Sequence, residues 1–304
     1  MGDRVNATGT PRATWRDYLI LTKPRVISLL LLTTVGAMFI AAEGYPGTWM
    51  LLGLLVGGYM SAGAAGVYNM VYDRDIDGRM RRTAMRPTVT NVVATGQALA
   101  FAITLTLLSF AIIWASSNLL AALLSWAGIA FYVIIYTIWL KRTTWQNIVI
   151  GGAAGAIPPL VGWAAVTGEL SLLAWLLFAL IFLWTPVHFW ALALMIQHDY
   201  DEVGIPMAPS VIGERATVMQ MAMYALLTMM LTVIPFALSE FSWLYLMASL
   251  ALNVVLALRV ARLFMLARSG VPIDKKTALP VYKYSMLYLA LLFLSMAIDR
   301  ALFV

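Results

Sequence analysis

The chain contains no cysteine. That excludes a disulfide framework, a thiolate metal site and a thiol nucleophile. Charge is scarce as well: Asp, Glu, Lys and Arg supply 11% of the 304 residues. A soluble domain carries about a quarter. Histidine occurs twice, at His188 and His198. What is abundant is apolar, 62% of the chain. Its apolar runs are long enough to cross a bilayer as helices, so the composition defines an all-α, polytopic integral membrane protein. The net charge of +6 in such a chain reports orientation before any nucleic-acid partner, and no nucleic-acid module is present.

Nine spans are predicted: Ile27–Ala42, Met50–Tyr68, Ala94–Ala115, Leu119–Tyr136, Ile148–Val166, Leu172–Ile196, Val218–Leu238, Leu244–Phe264 and Tyr284–Leu302. Each is close to the ~20 residues a bilayer requires. Turn residues separate them, as at Glu43-Gly44-Tyr45-Pro46-Gly47 and Ser116-Ser117-Asn118. Residues 1–26 read as a cytoplasmic tail, without the small-residue cleavage site of a signal peptide, and 27–304 as a single transmembrane domain. With nine spans, only Arg300 of the 20 Lys and Arg residues falls on the far side of the membrane. The bias places the N-terminus and the basic loops in the cytoplasm and the C-terminus opposite, as in a bacterial-type cell membrane.

Two acidic clusters flank spans on that basic side. The first is Asn69-x-x-x-Asp73-x-x-x-Asp77, followed by Arg79, Arg81, Arg82 and Arg86. Steps of four residues drift only about 40° around a helix, so the three side chains share a face. Like charges at that spacing repel, and a bound cation relieves the repulsion. Mg²⁺ takes oxygen ligands and is held by one or two carboxylates plus substrate phosphates. The neighbouring arginines suit phosphate oxygens. A solvated, salt-bridged loop would show similar alternation; the helical phase favours the cation site. The second cluster is Asp199-Tyr200-Asp201-Glu202, in which Asp199 lies nearest the bilayer. In both cases an acidic motif follows an even-numbered span and precedes a proline turn, which suggests two pseudo-repeated halves facing one cavity.

His188 lies within the sixth span, two residues after Pro186. Histidine at membrane depth is a functional candidate by default. Its bland role is a polar contact between helices. The glycines of Ser61–Gly66 and Gly151-Gly152-x-x-Gly155 read as close-packing faces and not as phosphate loops.

These motifs resemble the UbiA superfamily of intramembrane prenyltransferases. The matching stretches are Thr22-Lys23-Pro24-Arg25, Asn69-Met70-Val71-Tyr72-Asp73-Arg74-Asp75-Ile76-Asp77, Arg82-Thr83-x-x-Arg86-Pro87, Tyr136-Thr137-x-x-Leu140-Lys141-Arg142 and Asn147–Gly152. Gly155-Ala156-Ile157-Pro158-Pro159 and Trp184-Thr185-Pro186-x-His188-Phe189-Trp190 are similar to the haem-farnesylating branch. The resemblance implies a UbiA-type bundle and transfer of a farnesyl group from farnesyl diphosphate to a vinyl group of protohaem IX. It implies Mg²⁺ on Asn69, Asp73, Asp77 and Asp199, diphosphate neutralised by Arg82, Arg86, Lys141 and Arg142, and haem contact at His188. Tyr68, Tyr72, Phe189 and Trp190 are the aromatic faces expected to stabilise an allylic cation. Membrane lipid and a haem A synthase are the further partners implied. A prenyltransferase with another acceptor, such as a quinone precursor or a chlorophyll-type tetrapyrrole, would keep both acidic motifs. A transporter is the other class, but the charges gather on one side and leave no ionisable trace through the bilayer centre of spans three, four and eight.

Overall fold

The structure is a computed structural model that describes residues 13–303. Residues 1–12 of the predicted tail lie outside the described residues. The rest of that tail holds a short helix, α1 (Trp15–Leu21), opened by Thr14, whose backbone N–H and hydroxyl both donate to Asp17.

Among the described residues nine helices have the length and apolarity to cross a membrane. They are α2 (Pro24–Ala41), α3 (Thr48–Tyr72), α5 (Thr95–Ser116), α6 (Leu119–Ala130, continued as a π-helix over Phe131–Leu140), α7 (Asn147–Thr167), α8 (Leu172–Met195), α11 (Glu214–Ala237), α12 (Trp243–Arg268) and α13 (Lys275–Phe303). Short helical turns α4 (Arg74–Asp77), α9 (Gln197–Asp201) and α10 (Ala208–Val211) fill the connections on one side. No strand occurs among the described residues.

The predicted spans correspond one to one with these helices. The largest difference is at α13, which starts at Lys275 and not near Tyr284. Pro280 falls within its first turns, and Lys275, Lys276 and Lys283 extend the helix beyond its apolar part. Polar residues start several helices. Asn118, Ser171 and Ser242 each accept a backbone N–H from the first turn that follows. Gly168 closes α7 in the left-handed conformation, φ 77°.

Each spanning helix packs on the next around a ring: α2 on α3, then α5, α6, α7, α8, α11, α12, α13, and α13 back on α2. The contacts of α2 with α7 and of α8 with α13 cross the ring and divide it into two lobes. The α2–α7 crossing is close because Gly162 lies against the backbone of Thr34. The predicted small-residue faces hold with one exception. Gly151 meets Tyr136 and Gly152 meets Thr185, whereas nothing approaches a Cβ placed at Gly155.

The ends of the helices alternate as nine spans require. At one end Arg300 of α13 donates to Glu43 Oε1 (2.9 Å), after α2, and to Glu240 Oε2 (3.1 Å), after α11. Arg300, the one basic residue at that end among the described residues, is therefore neutralised twice. Next to it the fully buried Asp299 caps α12, accepting from the backbone N–H of Ser242 (2.8 Å) and of Tyr245 (2.9 Å). A carboxylate on a helix N-terminus is stabilising. Asp299→Ala leaves those donors buried and unpaired, and is expected to cost about 1–3 kcal/mol, read as a lower melting temperature in detergent.

Candidate functional site

The other end of the bundle gathers the charges. Helix α3 runs without a break to Tyr72 and stops at Asp73 (φ −84°, ψ 7°). The chain then re-enters a helical turn in which the Asp77 N–H bonds the Asp73 carbonyl (2.8 Å). The predicted shared face survives this break. Asn69, Asp73 and Asp77 are all buried, while the intervening Asp75 is exposed. Gly66, one turn below Asn69, lets α3 approach the carbonyls of Leu21 and Thr22.

Like-charge repulsion in the motif is answered by the protein's own cations. Lys141, just beyond the π-helix, bonds and pairs with Asp73 Oδ2. Arg86 does the same to Asp77 Oδ2. Arg142 grips Asp75 through both terminal nitrogens (2.8 and 2.7 Å) and lies 3.5 Å from Asp73 Oδ1. That bidentate contact holds the Asp75 carboxyl below its ordinary range. Asn69 donates to Asp73 Oδ2 (2.7 Å) and to Thr137 (3.2 Å), which joins the end of α3 to the π-helical part of the fourth span.

Lys23 is a site residue absent from the predicted set. It precedes α2 in the left-handed conformation, φ 58°, and donates to Asn69 Oδ1 (2.7 Å). Burial, with Arg86 and Lys141 close by, lowers its ammonium to about 7, against the opposing pull of Asp73 and Asp77. Its signal in the sequence was its place before Pro24, at the mouth of a span.

The second motif stands less tightly joined. Asp199 groups with His198 and Glu202, their ligand atoms lying within 4.8 Å of one another. Tyr200 lies within electrostatic reach of both motifs. Burial raises its phenol, and the charges of Arg82, Asp73, Arg86 and Asp199 all act on it. Asp199 is not in hydrogen-bond contact with Asp73 or Asp77 among the described residues. Arg82 is exposed and forms no ion pair among them.

The expected aromatic faces are placed differently. Arg142 covers the Tyr72 ring at 4.9 Å, and Trp190 is fully buried beside Trp145 and Tyr224. Tyr132 and Tyr136 instead form a stacked pair, centroids 5.3 Å apart, in the turn below Thr137. Deeper in α8, His188 is stacked between Trp184 (4.6 Å) and Tyr282 (4.7 Å).

The site can take an oxyanion and a hard cation together. Asp73 Oδ1 is buried without a hydrogen-bond partner; Lys141 and Arg142 pair with the same carboxylate, and Lys23 and Arg86 bond the neighbouring Asn69 and Asp77. A ring of spanning helices thus carries a cluster of buried charge at one end of an otherwise apolar bundle.

The UbiA prenyltransferase family model matches residues 29–297, and the chain belongs to that family. It is 57% identical to protoheme IX farnesyltransferase of Deinococcus radiodurans over 298 residues, covering 96% of this chain and 95% of that protein. It is 62% identical to protoheme IX farnesyltransferase of Thermus thermophilus over 293 residues, but covers only 47% of that longer protein. Among solved structures, a UbiA homolog from Archaeoglobus fulgidus bound to GPP and Mg²⁺ superposes with a TM-score of 0.66 at 17% identity, over 92% of this chain and 99% of that one. Digeranylgeranylglyceryl phosphate synthase superposes with a TM-score of 0.77, also at 17% identity, over 94% of this chain and 98% of that one. The chain thus shares its all-helical fold with both solved structures.

Proposed function

We propose that the chain transfers a farnesyl group from farnesyl diphosphate to a vinyl group of protohaem IX, and that water then adds to the cation left on that group and loses a proton, giving the hydroxyethylfarnesyl substituent of haem O and diphosphate. The observation that carries this reading is the convergence of Asp73 and Asp77 with Lys23, Arg86, Lys141 and Arg142 at one end of an apolar bundle. The names of the relatives support the acceptor and the prenyl donor.

Asn69, Asp73, Asp77 and Asp199 would hold Mg²⁺, and the orphaned Asp73 Oδ1 fits that role. When bound, the ion supplies Lewis-acid stabilisation of the charge that develops on the departing diphosphate. In the resting chain the Asn69 oxygen is taken by Lys23 and one Asp73 oxygen by Lys141. Substrate binding then exchanges partners: Lys23, Lys141 and Arg86 turn from carboxylate or amide to phosphate oxygens. Arg142 and Arg82 bound the same space. The cations are positioned before the reaction, which is what makes electrostatic stabilisation effective. The stacked Tyr132 and Tyr136 offer π-faces to the allylic cation. The apolar bundle limits its capture by water.

Purified protein in lipid, given farnesyl diphosphate, haem and Mg²⁺, is expected to release diphosphate and form farnesylated haem, and to stop on chelation. Diphosphate release with farnesyl on a different acceptor would overturn the haem assignment. Release of neither product would overturn the reading.

Lys23 adds a pH signature. It loses its charge as pH rises through about 7, so the apparent KM for farnesyl diphosphate is expected to increase across that pH. Lys23→Arg stays charged and should flatten the profile. The unfolded chain holds this proton up to 10.5, so the same group makes folding stability rise with pH from about 7 to 10.5.

The basic bias supports a cytoplasmic site and N-terminus, with the C-terminus opposite. The cysteine-free chain makes this simple to check. A cysteine at exposed Met85 is expected to react with an impermeant maleimide only in inside-out vesicles. One at exposed Tyr45 should react only in right-side-out ones. The product, retained by its farnesyl tail, would pass to a haem A synthase in the same bilayer.

A further inference from the structure

An open cavity of about 390 Å³ lies between α12 and α13, lined by Arg259 of the first and by Leu279, Pro280, Lys283, Tyr284 and Leu287 of the second. The two helices run antiparallel, and two hydroxyls fix their register. Tyr288 donates to Asn253 Oδ1 (2.8 Å), and Tyr284 donates to the Leu252 carbonyl (2.8 Å). Lys283 precedes Tyr288 by five positions and Arg259 follows Asn253 by six. At a rise of about 1.5 Å per residue, the two cations stand at nearly the same height along the helix pair.

Like charges brought to one level repel. Neither Arg259 nor Lys283 is in an ion pair among the described residues. From Arg259 to Lys283 the sequence holds six Lys and Arg residues but one carboxylate, Asp274. Asp274 is engaged at the start of α13, where it accepts from the Thr277 N–H (2.9 Å). Glu214 reaches the same loop and accepts from the Ile273 N–H (2.9 Å). The cavity therefore offers two cations to an anion from outside the chain.

The surroundings of the pair say what the rest of that anion is. Toward the middle of the bundle, exposed Val254, Leu258 and Leu287 continue from the cations as an apolar strip. Toward the helix ends the exposed side chains include Arg268 and Lys276. A soluble anion would use the cations and leave the strip unused. A lipid uses both, with its phosphate at the cations and its chain along the strip. Basic pockets between spanning helices bind lipid headgroups in this way. We propose that this groove is a binding site for one anionic phospholipid of the leaflet on the basic side, its phosphate held by Arg259 and Lys283 and an acyl chain laid over Leu287. The site is separate from the Asp73 cluster and independent of the farnesyl-transfer reading.

The full chain in neutral detergent, titrated with dioleoyl phosphatidylglycerol and followed by native mass spectrometry, is expected to retain one lipid more tightly than the rest. Arg259→Gln with Lys283→Gln should weaken that binding about 25-fold, about fivefold for each cation. Arg259→Lys with Lys283→Arg keeps both charges and should retain it. Arg268→Gln with Lys275→Gln removes two exposed cations near the helix ends, more than a Debye length of about 8 Å from the pair, and should leave it within about twofold of wild type. Equal binding by the Gln pair at 259 and 283 overturns the site, and equal loss in the Arg268 and Lys275 variant reduces it to diffuse attraction and overturns it too. Phosphatidylcholine retained as tightly overturns the preference for an anionic lipid. Displacement by inorganic phosphate or glycerol phosphate at matched concentration overturns the lipid as the source of the phosphate.

Discussion

Asp73→Ala is expected to lower farnesyl transfer about 10²–10³-fold, the scale of losing a main electrostatic group from a preorganised site. The carboxylate is fully buried. One of its oxygens anchors Lys141 and Asn69, and the other is the orphaned acceptor that faces Arg142. Alanine removes the proposed cation ligand and leaves the Lys141 ammonium without its partner in the same step. Asp73→Asn keeps the volume and some hydrogen bonding but not the charge, so it should remain nearly as inactive. Asp75→Asn should lose little by comparison, because Asp75 is exposed and serves only to hold Arg142. The check is the rate of farnesylated-haem formation at saturating Mg²⁺, with the elution profile of each variant as a control for folding. Equal losses at positions 73 and 75 would remove Asp73 from the centre of the site.

Gly162→Ala is expected to be the most damaging single-methyl change. A Cβ there would lie 2.2 Å from the Thr34 carbonyl oxygen and 3.0 Å from its carbon. Those are backbone atoms, so α2 and α7 must separate. Overpacking of this kind costs about 1–3 kcal/mol and sometimes more, and this contact belongs at the upper end because no rotamer relieves it. The damage also reaches the chemistry, since α2 begins beside Lys23. Gly155→Ala in the same helix is the control. Its Cβ meets nothing within 4 Å, and removing a mid-helix glycine gains up to about 1 kcal/mol. Thermal unfolding in detergent should rank the three proteins with Gly155→Ala at or above wild type and Gly162→Ala far below.

Much of this was legible in the sequence because the bilayer imposes a coarse rule. Runs of apolar residues of the right length gave the spans, and the basic bias gave their alternation. The clasp of Arg300 by Glu43 and Glu240 agrees with that alternation. The spacing of Asn69, Asp73 and Asp77 was readable because a period of four is a property of helices. Its exact form was not, since the chain breaks at Asp73 and restarts. Lys23 escaped because its reach depends on a left-handed backbone that no periodicity reports. The π-helical winding of Phe131–Leu140 escaped for a similar reason. Its apolar pattern suits an ordinary helix, yet the wider turn sets where Thr137 and Lys141 meet the acidic motif. Such segments often mark functional sites. The beginning of α13 was hidden by lysines and Pro280, which read as loop. The contact of His188 Nδ1 with Ser285 Oγ (2.8 Å) joins helices nearly a hundred positions apart in sequence, and only packing could reveal it.

The Arg300 clasp has a mechanical consequence. It ties the loop after α2, the loop after α11 and the tip of α13 into one knot at the far end of the bundle. Rods pinned together at one end part like the legs of a compass, opening most at the points and least at the pivot. Any guest that spreads the helices at the charged pole should therefore leave the Arg300 pole shut, and with it the seal across the bilayer.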